Sequence, residues 1–108
     1  MIVPASFALA SQLFIAVADV VPAFDVAPGC RAAVTVMPGT FDACMRDEQA
    51  ARAQLASQWD GFASSDRATC TQNETVGGTP SYVELLSCLQ MARDARRLPN
   101  SSTDGPNR

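Results

Sequence analysis

Four cysteines in this 108-residue chain, Cys30, Cys44, Cys70 and Cys88, have a residue type and spacing that could support chemistry. Such thiols bind zinc, act as a redox-active dithiol, supply a nucleophile or form disulfide bonds. Zinc and redox sites favour two cysteines separated by two residues, a spacing that does not occur here. A catalytic cysteine needs a base, and the sequence contains no histidine. The even number therefore favours two structural disulfides.

The remaining candidates for catalysis are carboxylates, and none forms an acid–base pair. Asp47 and Glu48 are adjacent on a predicted helix, so their side chains point in different directions. We expect Glu48, which lies near the apolar stripe of that helix, to pair with Arg52 four residues later. Gly77 and Gly78 form a turn between helices, because no strand precedes them and the lysine of a phosphate loop is missing. The sequence thus predicts a non-enzyme without cofactor or metal ion.

The charge of the chain speaks against a nucleic-acid partner. Eleven acidic residues outnumber eight basic ones and give a net charge of −3, whereas nucleic-acid binding requires a basic surface. The basic cluster Arg93, Arg96 and Arg97 is expected near the last turn of a helix, where cations oppose the negative end of the helix dipole.

The first 18 residues are typical of a signal peptide. They carry no charged side chain, and the apolar run 7–18 ends in Ala16-Val17-Ala18, the small-x-small pattern of a cleavage site. The usual basic residues before the apolar run are missing. The alternatives are an uncleaved anchor and a buried helix. A membrane-spanning helix needs about 20 apolar residues. A proline and several polar residues in and just after this segment argue against such an anchor: Pro4, Ser6, Ser11, Gln12 and Asp19.

The rest of the chain predicts an all-α domain at residues 30–98, preceded by an extended lead-in at 19–29 and followed by a disordered tail at 99–108. Apolar residues at three- and four-residue spacing predict helices over residues 40–58 and 80–97. Cap and break residues predict two more, over residues 30–36 and 64–75. Thr40 is the expected N-cap of the second helix, and Ser64 or Ser65 that of the third. For the fourth, Thr79 before Pro80 competes with a capping box from Ser81 to Glu84.

The positions of the turns rank the three possible cysteine pairings. Residues equidistant from a turn lie opposite one another in an antiparallel helix pair. Turns near Pro38 and Gly78 therefore bring Cys30 close to Cys44 and Cys70 close to Cys88, within the Cα separation of about 4.4–6.8 Å that a disulfide allows. A Cys44–Cys70 bridge does not fit this geometry. The two halves of the domain share this order of parts, which is consistent with a duplicated helical hairpin.

Three aromatic residues have two interpretations. Trp59, Phe62 and Tyr82 either fill the core or form a partly exposed patch that binds a partner protein, because tryptophan and tyrosine are enriched at the energetic centres of interfaces.

Several segments of the chain resemble a group of short exported proteins of proteobacteria, notably alphaproteobacteria of soil, to which no activity is assigned. The resemblance spans residues 30–98 and is most specific in the segment that begins Gly77-Gly78-Thr79-Pro80-Ser81-Tyr82 and ends at Cys88. Its other matching segments are residues 41–52, 58–62 and 66–70. It implies a location in the cell envelope and helices joined by disulfides.

The sequence therefore predicts a binding or structural module of the periplasm that associates with an envelope protein and has no stable membrane insertion after cleavage. The alternative is a small secreted effector or inhibitor that acts on an extracellular target. The oligomeric state is left open.

Overall fold

The structure, a computed structural model, describes residues 20–99 and contains four α-helices in that range. They are α1 (Ala27–Ala33), α2 (Phe41–Gln58), α3 (Ser64–Val76) and α4 (Tyr82–Arg96), with a short 3₁₀ turn, Trp59–Gly61, after α2. Residues 20–99 contain no β-strand. The predicted all-α class is confirmed. The predicted signal peptide at 1–18 lies outside the described residues, as does all of the predicted tail except Pro99.

The starts of the helices follow local capping chemistry. The Thr40 hydroxyl accepts a hydrogen bond from the Ala43 N–H at 3.0 Å and begins α2 as predicted. At α4 the serine of the capping box prevails over Thr79, because the Ser81 hydroxyl accepts from the Glu84 N–H at 3.2 Å. The predicted serine cap of α3 is wrong, since its N-cap is Ala63, without a side-chain bond.

Helix α1 also differs from its prediction. It begins at Ala27, three residues before the expected start at Cys30, and the lead-in is correspondingly shorter. Pro28 lies within the first two helical positions, where a missing N–H costs nothing, so the proline that suggested an extended segment instead suits a helix start.

The core lies between α2 and α4. Leu55 of α2 and Leu85 and Leu89 of α4 have no exposed surface. The two helices run parallel: Glu48 bonds to the start of α4 and Gln58 accepts from Arg93 near its end. Helix α1 packs on α2, and α3 packs on α4.

The lead-in is held by one side chain of α4. The hydroxyl of Tyr82 accepts from the Phe24 N–H at 2.8 Å and donates to the Pro22 carbonyl at 2.9 Å. The rings of Phe24 and Tyr82 also pack, with centroids 4.9 Å apart. Residues 20–26 are therefore fixed against the domain although they form no helix or strand.

Candidate functional site

The four cysteines form the two predicted disulfides. Cys30 pairs with Cys44 and Cys70 with Cys88, with Cα atoms 5.6 and 5.8 Å apart. All four lie within the described residues and none is free. Within residues 20–99, no group of three or more histidine, cysteine, aspartate or glutamate side chains is placed to hold a metal ion. Two structural disulfides are typical of a protein that folds in an oxidising compartment.

The three aromatic residues considered for partner binding are all buried. Trp59 and Phe62 follow the end of α2, whereas Tyr82 lies at the start of α4, and all three belong to the hydrophobic core. Their exposed fractions are only 3–5%. The structure therefore does not bring them together as one exposed patch, but Trp59 also borders a groove.

This groove, the Trp59 groove, lies between the lead-in and α3 and has a volume of about 780 Å³. Its first wall is formed by residues 20–23 and its second by Trp59. The third is a face of α3 whose residues follow helical spacing: Arg67, Ala68, Thr71, Gln72 and Thr75. Sites for small ligands have volumes of about 300–1,000 Å³ and are mostly apolar with a few polar groups, a description that this groove meets.

Two polar side chains at the Trp59 groove lack acceptors. The Arg67 guanidinium carbon lies 5.6 Å from the centroid of the Trp59 ring, so the cation stacks against the indole. The Trp59 Nε1 and the Arg67 Nε are both buried, and neither has a hydrogen-bond partner in the described part of the chain. A buried donor without an acceptor costs about 1–3 kcal/mol.

A second site of interest is a carboxylate network at the start of α4. Glu48, only 6% exposed, accepts from the Tyr82 N–H and from the Ser81 hydroxyl, both at 2.6 Å. The Glu74 carboxylate accepts from the Ser81 N–H at 3.1 Å. Two carboxylates thus satisfy backbone donors that the first turn of a helix leaves without partners. We call Glu48, Glu74 and Ser81 the glutamate network.

The expected pairing of Glu48 with Arg52 is wrong. Glu48 faces α4, and the Arg52 guanidinium lies over the Tyr82 ring, 5.8 Å from its centroid. The signal for this role was present in the sequence: Glu48 falls on the buried stripe of α2 together with Ala51 and Leu55. A carboxylate at an otherwise apolar position indicates a buried hydrogen-bonding partner, but it does not identify that partner.

Burial, and to a lesser degree neighbouring carboxylates, raise the pKa of Glu74. Burial raises the pKa of its carboxyl above the ordinary value, the Ser81 N–H opposes this rise, and the carboxylates of Glu84 and Glu48 add to it. A smaller groove of about 480 Å³ lies beside the network and is lined by residues of α1 and of the starts of α2 and α4.

One arginine of the basic cluster at the end of α4 binds α3. Arg96 donates to both carboxylate oxygens of Asp66, at 2.7 and 2.9 Å, and to the Ser65 hydroxyl at 3.2 Å. The hydrogen bonds from Arg96 lower the pKa of Asp66 below its ordinary value. Arg93 and Arg96 lie in the last turn of α4, as the sequence predicts.

None of the helices described between residues 20 and 99 has the length and apolarity needed to cross a bilayer. Comparison of the chain with protein-family models, with curated proteins and with solved structures finds no match.

Proposed function

We propose that this chain is an exported, non-enzymatic binding module that works in the periplasm and uses the Trp59 groove as its binding site. The groove itself carries the proposal, since its volume and mostly apolar walls fit a ligand. The two disulfides support export, because such bonds persist in oxidising compartments. The apolar residues 1–18 would supply the signal.

The position of the groove also supports a binding role. Two of its walls, Trp59 and α3, are attached to the core, and Cys70 anchors α3 to α4 through a disulfide. The remaining wall, residues 20–23, is fixed by the Tyr82 hydroxyl. A site whose walls are already held in place loses little conformational entropy when a ligand binds.

The binding test uses the exported full chain with both disulfides formed and the neutral apolar dye N-phenyl-1-naphthylamine. We expect one dye molecule to bind and its fluorescence to increase. Ala68→Leu, which places a larger side chain in the groove, should abolish this increase. Ala56→Leu is the matched control, because Ala56 is exposed on α2 away from the groove. No dye binding, or equal binding to both variants, would refute the proposal that the groove is the binding site.

The location test fractionates cells that express the chain with its own N-terminus. We expect a periplasmic product whose N-terminal sequence begins at Asp19. Recovery from the culture medium alone would instead favour a secreted effector or inhibitor. An intact N-terminus in the membrane fraction would favour an anchored protein.

A further inference from the structure

The arginines of α3 and α4 differ in their partners, and Arg67 stands out. Arg96 makes two hydrogen bonds to the Asp66 carboxylate. Arg93 stacks over Phe62, and its Nε, like that of Arg67, is buried without a hydrogen-bond partner. Its guanidinium nevertheless donates to Gln58 at 3.2 Å and lies 3.8 Å from the Asp94 carboxylate. Arg67 stacks over Trp59 in the same way, but its side chain makes neither a hydrogen bond nor an ion pair with any residue of the described range 20–99.

The position of Arg67 makes this lack of a partner costly. Its side chain is only partly exposed, and its Nε is fully buried. A fully exposed arginine replaces a missing partner with water, whereas a buried N–H cannot. Since the indole N–H of Trp59 is also buried, the described chain supplies an acceptor to neither group. A ligand in the groove would therefore bind the terminal nitrogens of the partly exposed Arg67 and not these two buried atoms.

The other residues of the range 20–99 that line the groove carry no charge. Residues 20–23 present two valines, a proline and an alanine, and α3 adds Ala68 and the polar but neutral Thr71, Gln72 and Thr75. A ligand that fits these walls therefore needs an apolar body and a single anionic end. Arginine prefers carboxylates because its planar fork of donors matches their two oxygens.

We propose that the Trp59 groove binds a small amphipathic carboxylate, with the carboxylate at Arg67 and an alkyl chain along residues 20–23 and Trp59. This inference rests on the proposed binding function and adds the chemical class of the ligand. If Arg67 served only to cover the indole, the groove would bind anionic and cationic amphiphiles equally well.

The test measures how decanoate and decyltrimethylammonium, two ten-carbon chains of opposite charge, displace the neutral dye from the groove. Trp59 is the single tryptophan of the chain, so its own fluorescence reports binding independently. We expect decanoate to displace the dye at about tenfold lower concentration than the cation, the ratio that one charge-assisted hydrogen bond supplies.

Variants assign this preference to one side chain. Arg67→Gln should reduce the preference for decanoate to about twofold or less, whereas Arg67→Lys should keep part of it, since the charge remains without the planar fork. Arg46→Gln is the matched control, because Arg46 is exposed near the start of α2 and does not line the groove. Thermal unfolding of each variant shows whether the fold is intact.

The outcomes separate the two proposals. Equal displacement by the two amphiphiles, or a preference for decanoate that survives Arg67→Gln, overturns the assignment of the ligand class while dye binding still supports the groove. Failure of the native chain to bind the dye and both amphiphiles overturns the two proposals together.

Discussion

The helix pairs α1–α2 and α3–α4 are each joined by one disulfide, but the two disulfides lie at different positions along their helices. Cys30 and Cys44 are each the fourth residue of their helices, whereas Cys70 and Cys88 are each the seventh. The second bridge therefore lies almost one helical turn further from the helix starts than the first. Cys70 belongs to the central hydrophobic cluster, while Cys30, although buried, lies outside it.

The peripheral helices of the two pairs consequently depend on their bridges to different degrees. Cys30 is the only buried residue of α1, so the disulfide is the principal attachment of that helix. Cys70 is likewise the only buried residue of α3, but α3 is also tied to α4 by the Asp66–Arg96 pair and by the bond from the Ser81 N–H to Glu74. The Cys30–Cys44 bridge thus holds a peripheral helix, whereas the Cys70–Cys88 bridge forms part of the core.

Removal of the bridges should give the largest effect and tests this comparison directly. Cys70→Ala/Cys88→Ala should lower the free energy of unfolding by about 3 kcal/mol or more, from the lost loop constraint and the smaller core side chain. Cys30→Ala/Cys44→Ala should cost less, because α1 can detach without opening the core. Urea unfolding measures both losses.

Hydrogen exchange shows where each loss falls. Without Cys30–Cys44, the amides of α1 should lose protection while those of α4 keep it. Without Cys70–Cys88, protection should decrease in both α3 and α4. Equal losses of stability and uniform loss of protection in the two double variants would contradict the proposed difference between the pairs.

Glu48→Gln should have the next largest effect, because Glu48 accepts two short hydrogen bonds that join one helix pair to the other. The amide retains one acceptor oxygen but loses the charge that strengthens both hydrogen bonds at the start of α4, so we expect a loss of about 1–3 kcal/mol. Asp47→Asn, at the exposed neighbouring position, is the control and should change stability little. A loss no greater than that of the control would show that the glutamate network does not stabilise the α2–α4 contact.

Glu74→Gln should alter the pH dependence of stability more than its value at any one pH. Because the pKa of Glu74 is raised in the folded chain, its contribution is complete below about pH 4 and is lost as the pH rises through the raised pKa. The free energy of unfolding of the native chain should therefore decrease relative to that of Glu74→Gln over this range. Urea unfolding at intervals from pH 4 to 7 measures the free energy of unfolding of the native chain and of Glu74→Gln. The difference between the two values should stay constant with pH if the pKa of Glu74 is not raised in the folded chain.

Arg96→Gln should have the smallest effect, since its partner Asp66 lies at the surface. The pKa of Asp66 is lowered in the folded chain, so this pair stabilises at neutral pH, and its contribution is lost as the pH falls below about 4, opposite in sign to the effect of Glu74. We expect a small decrease in melting temperature at low salt that disappears in concentrated salt. Arg97→Gln is the control. A salt-independent decrease would indicate that Arg96 acts through packing.

The sequence predicts those features that depend on neighbouring residues. The cysteine pairing follows from turns at Pro38-Gly39 and at Gly78, and the structure places both glycines at positive φ, 135° and 87°. The N-cap at Thr40 and the apolar stripe of α2 are likewise local signals.

Features that depend on distant contacts were not predictable in the same way. Glu48 accepts from residues 33 and 34 positions later, and the lead-in is fixed by a tyrosine hydroxyl about 60 positions away. Residues 20–26 show no periodicity that would place them against α3, so the Trp59 groove has no signature in the sequence. Its walls come together because the Tyr82 hydroxyl holds the lead-in and the Cys70–Cys88 disulfide holds α3 on α4.

The order of the disulfides along the chain has a consequence for synthesis. Each bridge joins two consecutive cysteines, across 14 and 18 positions. A chain that leaves a translocation pore from its N-terminus exposes Cys30 and Cys44 before Cys70 appears. If the chain is exported, an oxidase that joins thiols in their order of emergence would thus make the correct pairs at the first attempt, without a disulfide isomerase.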